Sequence, residues 1–204
     1  MDKKLFIVLF FSFIAATIIG TVSHEFGHYI VAKYFGYDTQ IHYASTSWRY
    51  PDPNNPIVTG YPIAITLGGP IQTMFTGTIG IVILFLSRNS FFQADKLSFR
   101  QWFIIFISLF WLRQTANLCT WLGSYFVNGK LSSRGDEIHI ANYYHLPNWT
   151  VVTTTAIIAT LLLAIIIFKF IPLRQRGTFL SAGLTGGIAG YIFWLVLFGK
   201  YIMP

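Results

Sequence analysis

Apolar and polar positions fall in long blocks along this chain, not at the periods expected of helices or strands lying on a soluble core. Five blocks are almost wholly apolar, over about residues 4–35, 61–86, 102–126, 149–171 and 178–202. At a rise of about 1.5 Å per residue each can cross a hydrocarbon core of about 30 Å, and a helix lets such a run satisfy its own backbone in lipid. The pattern predicts an all-α polytopic membrane protein of about five transmembrane helices. Between the first two blocks polarity rises. There Ile41-His42-Tyr43-Ala44-Ser45-Thr46-Ser47-Trp48 favours extended chain and Pro51-Asp52-Pro53-Asn54-Asn55-Pro56 favours turns, which predicts a short strand or hairpin after the first helix. No repeat or second domain is visible, so residues 1–204 read as a single membrane-embedded domain.

Composition agrees, with 54% hydrophobic and 10% charged residues. The 14 Lys and Arg against 7 Asp and Glu cluster near the ends of apolar blocks, as membrane-flanking anchors do, and no nucleic-acid surface is expected. With the N-terminus in the cytoplasm, Lys3, Lys4, Arg88, Lys96, Arg100, Lys169, Arg174 and Arg176 fall inside, against Lys33, Arg49, Lys130, Arg134 and Lys200 outside. That excess favours a cytoplasmic N-terminus, and the short form suggests a bacterial inner membrane. The first block opens like a signal peptide but runs directly into the motif described next, so it is expected to be retained. The lone cysteine, Cys119, permits no intrachain disulfide and is expected to be a small buried side chain.

The first block ends in His24-Glu25-Phe26-Gly27-His28. Histidines four apart share one helix face, so both imidazoles can reach a single Zn2+, and the intervening Glu25 stands beside a metal-bound water. Zinc would lower the pKa of that water and polarise a carbonyl, while Glu25 moves the proton. His24 lies about 30 Å along the helix from Lys4, which puts the site toward the face opposite the N-terminus. Ionisable groups at that depth are costly unless they serve a site.

A third ligand must come from elsewhere. Of the seven acids, Asp2 and Asp95 fall on the wrong face, leaving Asp38 and Asp52 after the first block and Asp136 and Glu137 after the third. Asp136 is the expected ligand, with Glu137 and then His139 as alternatives. Ser133 is the expected N-cap of a short helix in which Asp136 and Glu137 are favourable first-turn charges. In the third block Arg113, Asn117, Thr120 and Ser124 line one helical face, which inside lipid must turn toward protein or a wet cavity. Asn117 is expected near the site as a donor to substrate or to the reacting carbonyl, and Arg113 as a structural cation satisfying carbonyls or an acid. Gly68-Gly69-Pro70 in the second block admits a close helix neighbour or a substrate. Gly183, Gly186, Gly187 and Gly190 in the fifth suit tight helix packing.

An HExxH on a membrane-spanning helix, a Gly-Gly-Pro in the next span, an asparagine in the third and a later aspartate together resemble the site-2 protease family of intramembrane zinc metalloproteases. The resemblance covers roughly residues 15–145. It implies that His24, His28 and Asp136 are the ligands of one zinc, that Glu25 is the base, that Gly69 and Pro70 belong to the site and that Asn117 holds substrate. It also implies a membrane-protein or membrane-peptide substrate, selected by loops or by a regulatory membrane partner. Other readings are a zinc-containing factor that binds a client without cutting it, and a membrane hydrolase acting on a lipid amide.

Overall fold

The computed structural model describes residues 2–49 and 62–204; the expected turn at Pro51 to Pro56, with Asp52, lies outside them. Helix α1 (Lys3–Tyr34) starts where the Asp2 carboxylate accepts from the Leu5 amide and stops before Gly36, whose φ of 81° suits glycine. A hairpin follows, β1 (Asp38–Ile41) paired antiparallel with β2 (Thr46–Arg49), Ile41 opposite Thr46. The stretch expected to be extended thus contains the hairpin's turn, closed by the His42 amide donating to the Ser45 carbonyl.

Next come α2 (Pro62–Leu86), a short α3 (Arg88–Phe92) and α4 (Phe99–Ser108). Ser98 and Gln101 form a capping box at the start of α4, so this span begins at Phe99 and not at Trp102, and Arg100 lies in its first turn. A tight 3-10 turn at Leu109–Trp111 breaks the span before α5 (Leu112–Asn128), which ends at Gly129 with φ 70°. A short α6 (Asp136–Tyr143) precedes α7 (Trp149–Ile165), whose last turn widens to a π-helix over Ile166–Phe170. Then α8 (Leu173–Tyr191) continues through a second π stretch, Ile192–Phe198, into α9 (Gly199–Ile202). Arg174 and Arg176, which fall between the fourth and fifth apolar blocks, stand in the first turn of α8. The Arg176 guanidinium donates to the Ile171 and Phe168 carbonyls at the end of the preceding span.

Five stretches, Lys3–Tyr34, Ile63–Leu86, Phe99–Asn128, Trp149–Phe170 and Leu173–Ile202, are long and apolar enough to cross a bilayer. The protein is an all-α polytopic integral membrane protein with one small hairpin among its described residues. Its outward faces carry exposed Ile7, Phe11, Phe75, Val82 and Leu161, as a lipid-facing surface does. Cys119 belongs to that exposed surface, contrary to expectation, because it lies on the opposite side of α5 from the polar stripe.

Helix α1 is central, flanked by α8 and α2, and glycines set both contacts. A Cβ on Gly27 would stand 2.5 Å from the Gly68 carbonyl oxygen, and one on Gly186 would stand 2.6 Å from that of Phe10. A Cβ on Gly183 or Gly190 would meet side chains, the Phe13 ring at 3.0 Å and Thr17 Oγ1 at 2.8 Å, whereas Gly187 faces open space. The main apolar core, including Leu9, Phe13, Leu84, Ile105, Phe170 and Phe179, fills the end near the N-terminus. At the other end the halves of the third span part: α4 packs on α2, while α5 packs on α7. A polar cavity of about 450 Å³ occupies that end.

Candidate metal centre

His24 and His28 project from one face of α1, and Asp136 reaches them from the first position of α6. The Nε2 atoms lie 3.3 Å apart, and Asp136 Oδ2 is 2.9 Å from His24 Nε2 and 3.3 Å from His28 Nε2. Ligand atoms about 2.0–2.1 Å from a tetrahedral ion stand roughly 3.3 Å from one another, so the spacing fits a four-coordinate cation. Among the described residues this is the group of histidine, cysteine and acidic side chains that meets such a requirement.

Hydrogen bonds behind the rings fix which atoms face the centre. Thr73 donates its hydroxyl hydrogen to the Gly69 carbonyl at 2.9 Å, leaving its oxygen to accept from His24 Nδ1, also at 2.9 Å. The Ile65 carbonyl, which can only accept, lies 2.7 Å from His28 Nδ1. Both Nδ1 atoms therefore carry hydrogens, and the Gly69 amide 3.3 Å from His28 Nδ1 is a neighbour and not a donor to it. A neutral ring protonated at Nδ1 presents a lone pair at Nε2. Two such lone pairs and a carboxylate oxygen converge on one point, an arrangement suited to a cation. Were the Nε2 atoms protonated instead, two buried imidazoliums would abut across 3.3 Å with one carboxylate between them.

The sequence folds this way locally for steric reasons. A Cβ on Gly69 would collide with His28 Nε2 and stand 2.6 Å from His24 Nε2, so only glycine leaves the rings their place. Gly27, inside the motif, lets α2 come close enough for Thr73 and Ile65 to reach the imidazoles. Pro70 is buried in α2 beside Gly69, but it is Gly69 that touches the rings. Asp136 follows Gly135, whose φ of 120° turns the chain into α6. Gly135, not Ser133, occupies the N-cap position, because only glycine adopts that backbone readily. Upstream, the Trp121 indole donates to the Ser132 carbonyl, and the Ser132 amide donates to Ser124 Oγ. These bonds tie the loop to α5.

Glu25 is 4% exposed at the cavity wall. Thr46, on β2, donates to Glu25 Oε2 at 3.0 Å and lies 2.9 Å from the Glu25 carbonyl oxygen, so the hairpin sets the carboxylate's orientation. Arg113 Nη2 is 4.0 Å from Glu25 Oε1. Asn117 lines the same cavity, but its Nδ2 donates to Glu137 Oε1 at 2.8 Å. Glu137 is accordingly held away from the triad; burial pushes its carboxyl up, against the pull of that amide. His139 is exposed, and Asp38 faces Lys33 at 3.8 Å. Of the candidate ligands, His24, His28 and Asp136 are brought together; Glu137 and His139 are not.

Sequence reading did not assign roles to Thr73, Ile65 or Thr46. Thr73 stands four residues after Gly69 and so shares its helix face, a usable signal. The Ile65 carbonyl and the hairpin's approach to Glu25 leave no mark in residue type. No protein-family model, curated protein or solved structure matches the chain.

Proposed function

We propose that this protein is a zinc-dependent endopeptidase that cleaves a membrane-protein substrate within or beside the bilayer, a reading in keeping with the resemblance to site-2 proteases. The observation that carries it is the convergence of His24 Nε2, His28 Nε2 and Asp136 Oδ2, with both ring tautomers fixed from behind and a buried glutamate alongside. When bound, one Zn2+ per chain supplies Lewis acidity toward a carbonyl and toward water.

The chain's own residues provide the rest. Glu25 takes a proton from the attacking water and returns it to the leaving amine. Thr46 orients the Glu25 carboxylate for both transfers through its hydrogen bond to Oε2. Thr73 and the Ile65 carbonyl hold the imidazoles square to the site. A transmembrane substrate helix must unwind before its carbonyls are accessible, and the hairpin over the cavity is placed to receive extended chain.

Orientation belongs to the same proposal: an N-terminus in the cytoplasm and a site toward the outer face of a bacterial inner membrane, as the cation distribution favours. Purified protein in liposomes should cut one or more peptides of a transmembrane panel. Glu25→Gln should retain zinc and lose cleavage by about 100-fold or more. Full cleavage by that variant would remove the proteolytic reading, and client binding that survives it with no cutting by wild type would favour a binding factor.

A further inference from the structure

Arg113 lies near the middle of the third span, where a cation is expensive. It makes no hydrogen bond among the described residues. Its Nε is buried without a partner, and Nη2 stops 4.0 Å from Glu25, beyond hydrogen-bond reach. The nearby acids take their hydrogen bonds from other donors: Glu25 Oε2 accepts from Thr46, Glu137 Oε1 accepts from Asn117, and Asp136 Oδ2 faces the two histidines, so Arg113 keeps only the long ion pair to Glu25 Oε1. The guanidinium is not sealed off, because its side chain is 26% exposed and it lines the cavity beside the triad. Arg134 lines the same cavity. With a divalent cation balancing Asp136 and Glu25, and Glu137 offsetting one of the two arginines, the cavity keeps one positive charge in excess.

We propose that Arg113 is an anion-recognition residue: its guanidinium binds a carboxylate of the substrate while the scissile carbonyl lies at the triad. The planar fork of N–H donors matches a carboxylate with two parallel bonds, which supplies the hydrogen-bond partners that this side chain lacks. The carboxylate is either the substrate's C-terminus or an acidic side chain near the cleaved bond. The inference rests on the metal reading of the site and adds a charge requirement to its substrate.

Three probes separate the possibilities, each a zinc-chelating hydroxamate: one joined to alanine with a free carboxylate, one to alanine amide and one to aspartate amide. Calorimetric titration of zinc-loaded protein should show one carboxylate probe binding about 10- to 100-fold tighter than alanine amide. Which one it is identifies the source of the charge. Within Arg113→Gln itself the carboxylate probes should bind no tighter than alanine amide, and Arg113→Lys should keep part of the preference. Equal binding of all three probes, or a preference that persists in Arg113→Gln, overturns the inference alone. Failure of every probe to bind overturns the metal reading and this inference with it. Loss of zinc in both Arg113 variants overturns it in favour of a structural role.

Discussion

Single atoms decide this site, and the sharpest case is an atom that is absent. Gly69 has no Cβ because one would occupy the space of the two Nε2 atoms. Gly69→Ala should therefore abolish stoichiometric zinc binding while leaving the far-ultraviolet helical signal intact, measured by elemental analysis and circular dichroism. Thr73 acts from behind the ring. Thr73→Val removes the acceptor for His24 Nδ1 and should weaken zinc affinity about 10- to 100-fold, measured by competition with a chelator. Thr46 bonds instead to Glu25, the proposed base, so Thr46→Val should lower the cleavage rate with zinc content unchanged. On the proposed function the two threonines would separate holding the metal from moving the proton. The HExxH spacing made His24, Glu25 and His28 legible because a helix repeats; it is silent on Thr73 and Thr46, which arrive from other elements.

At the scale of elements, the apolar blocks were readable since lipid imposes length and composition together. Their fine boundaries were not. The third span breaks at Leu109–Trp111, and residues 102–112 around it include no proline or glycine, so neither residue type announces the turn. That break lets α4 pack on α2 while α5 packs on α7, and it opens the cavity that Arg113 and Asn117 line. Asn117 illustrates the limit of a stripe: its face was predictable, but its bond to Glu137 depends on where Gly135 turns the chain. Glycine spacing in the fifth span was legible as packing, yet Gly186 and Gly187 look alike in sequence and differ in structure. Gly186→Leu should destabilise the protein by about 1–3 kcal/mol or more in a detergent unfolding assay, because its side chain meets the Phe10 backbone of α1. Gly187→Leu, which faces open space, should have little effect.

Across the whole molecule, one end is an aromatic and aliphatic core and the other a cavity lined by polar and charged side chains, with α1 running through both. An odd number of spans puts the hairpin, α6 and the last residues on one face. The Trp194 indole donates to the Tyr43 carbonyl and the Tyr43 amide donates to the Met203 carbonyl, so the fifth span clasps the hairpin over the site. In a Cys119→Ala background, Arg134→Cys should react with a membrane-impermeant maleimide on intact cells, and Lys96→Cys only after lysis. The reverse pattern would invert the proposed orientation. The most direct test of the central claim is metal content by elemental analysis of the purified chain and of His24→Ala, His28→Ala, Asp136→Ala and Glu137→Gln. The account predicts one zinc per chain, lost in the first three variants and kept in the fourth; wild-type protein purified without chelators that holds no zinc, or retains it in Asp136→Ala, would contradict it.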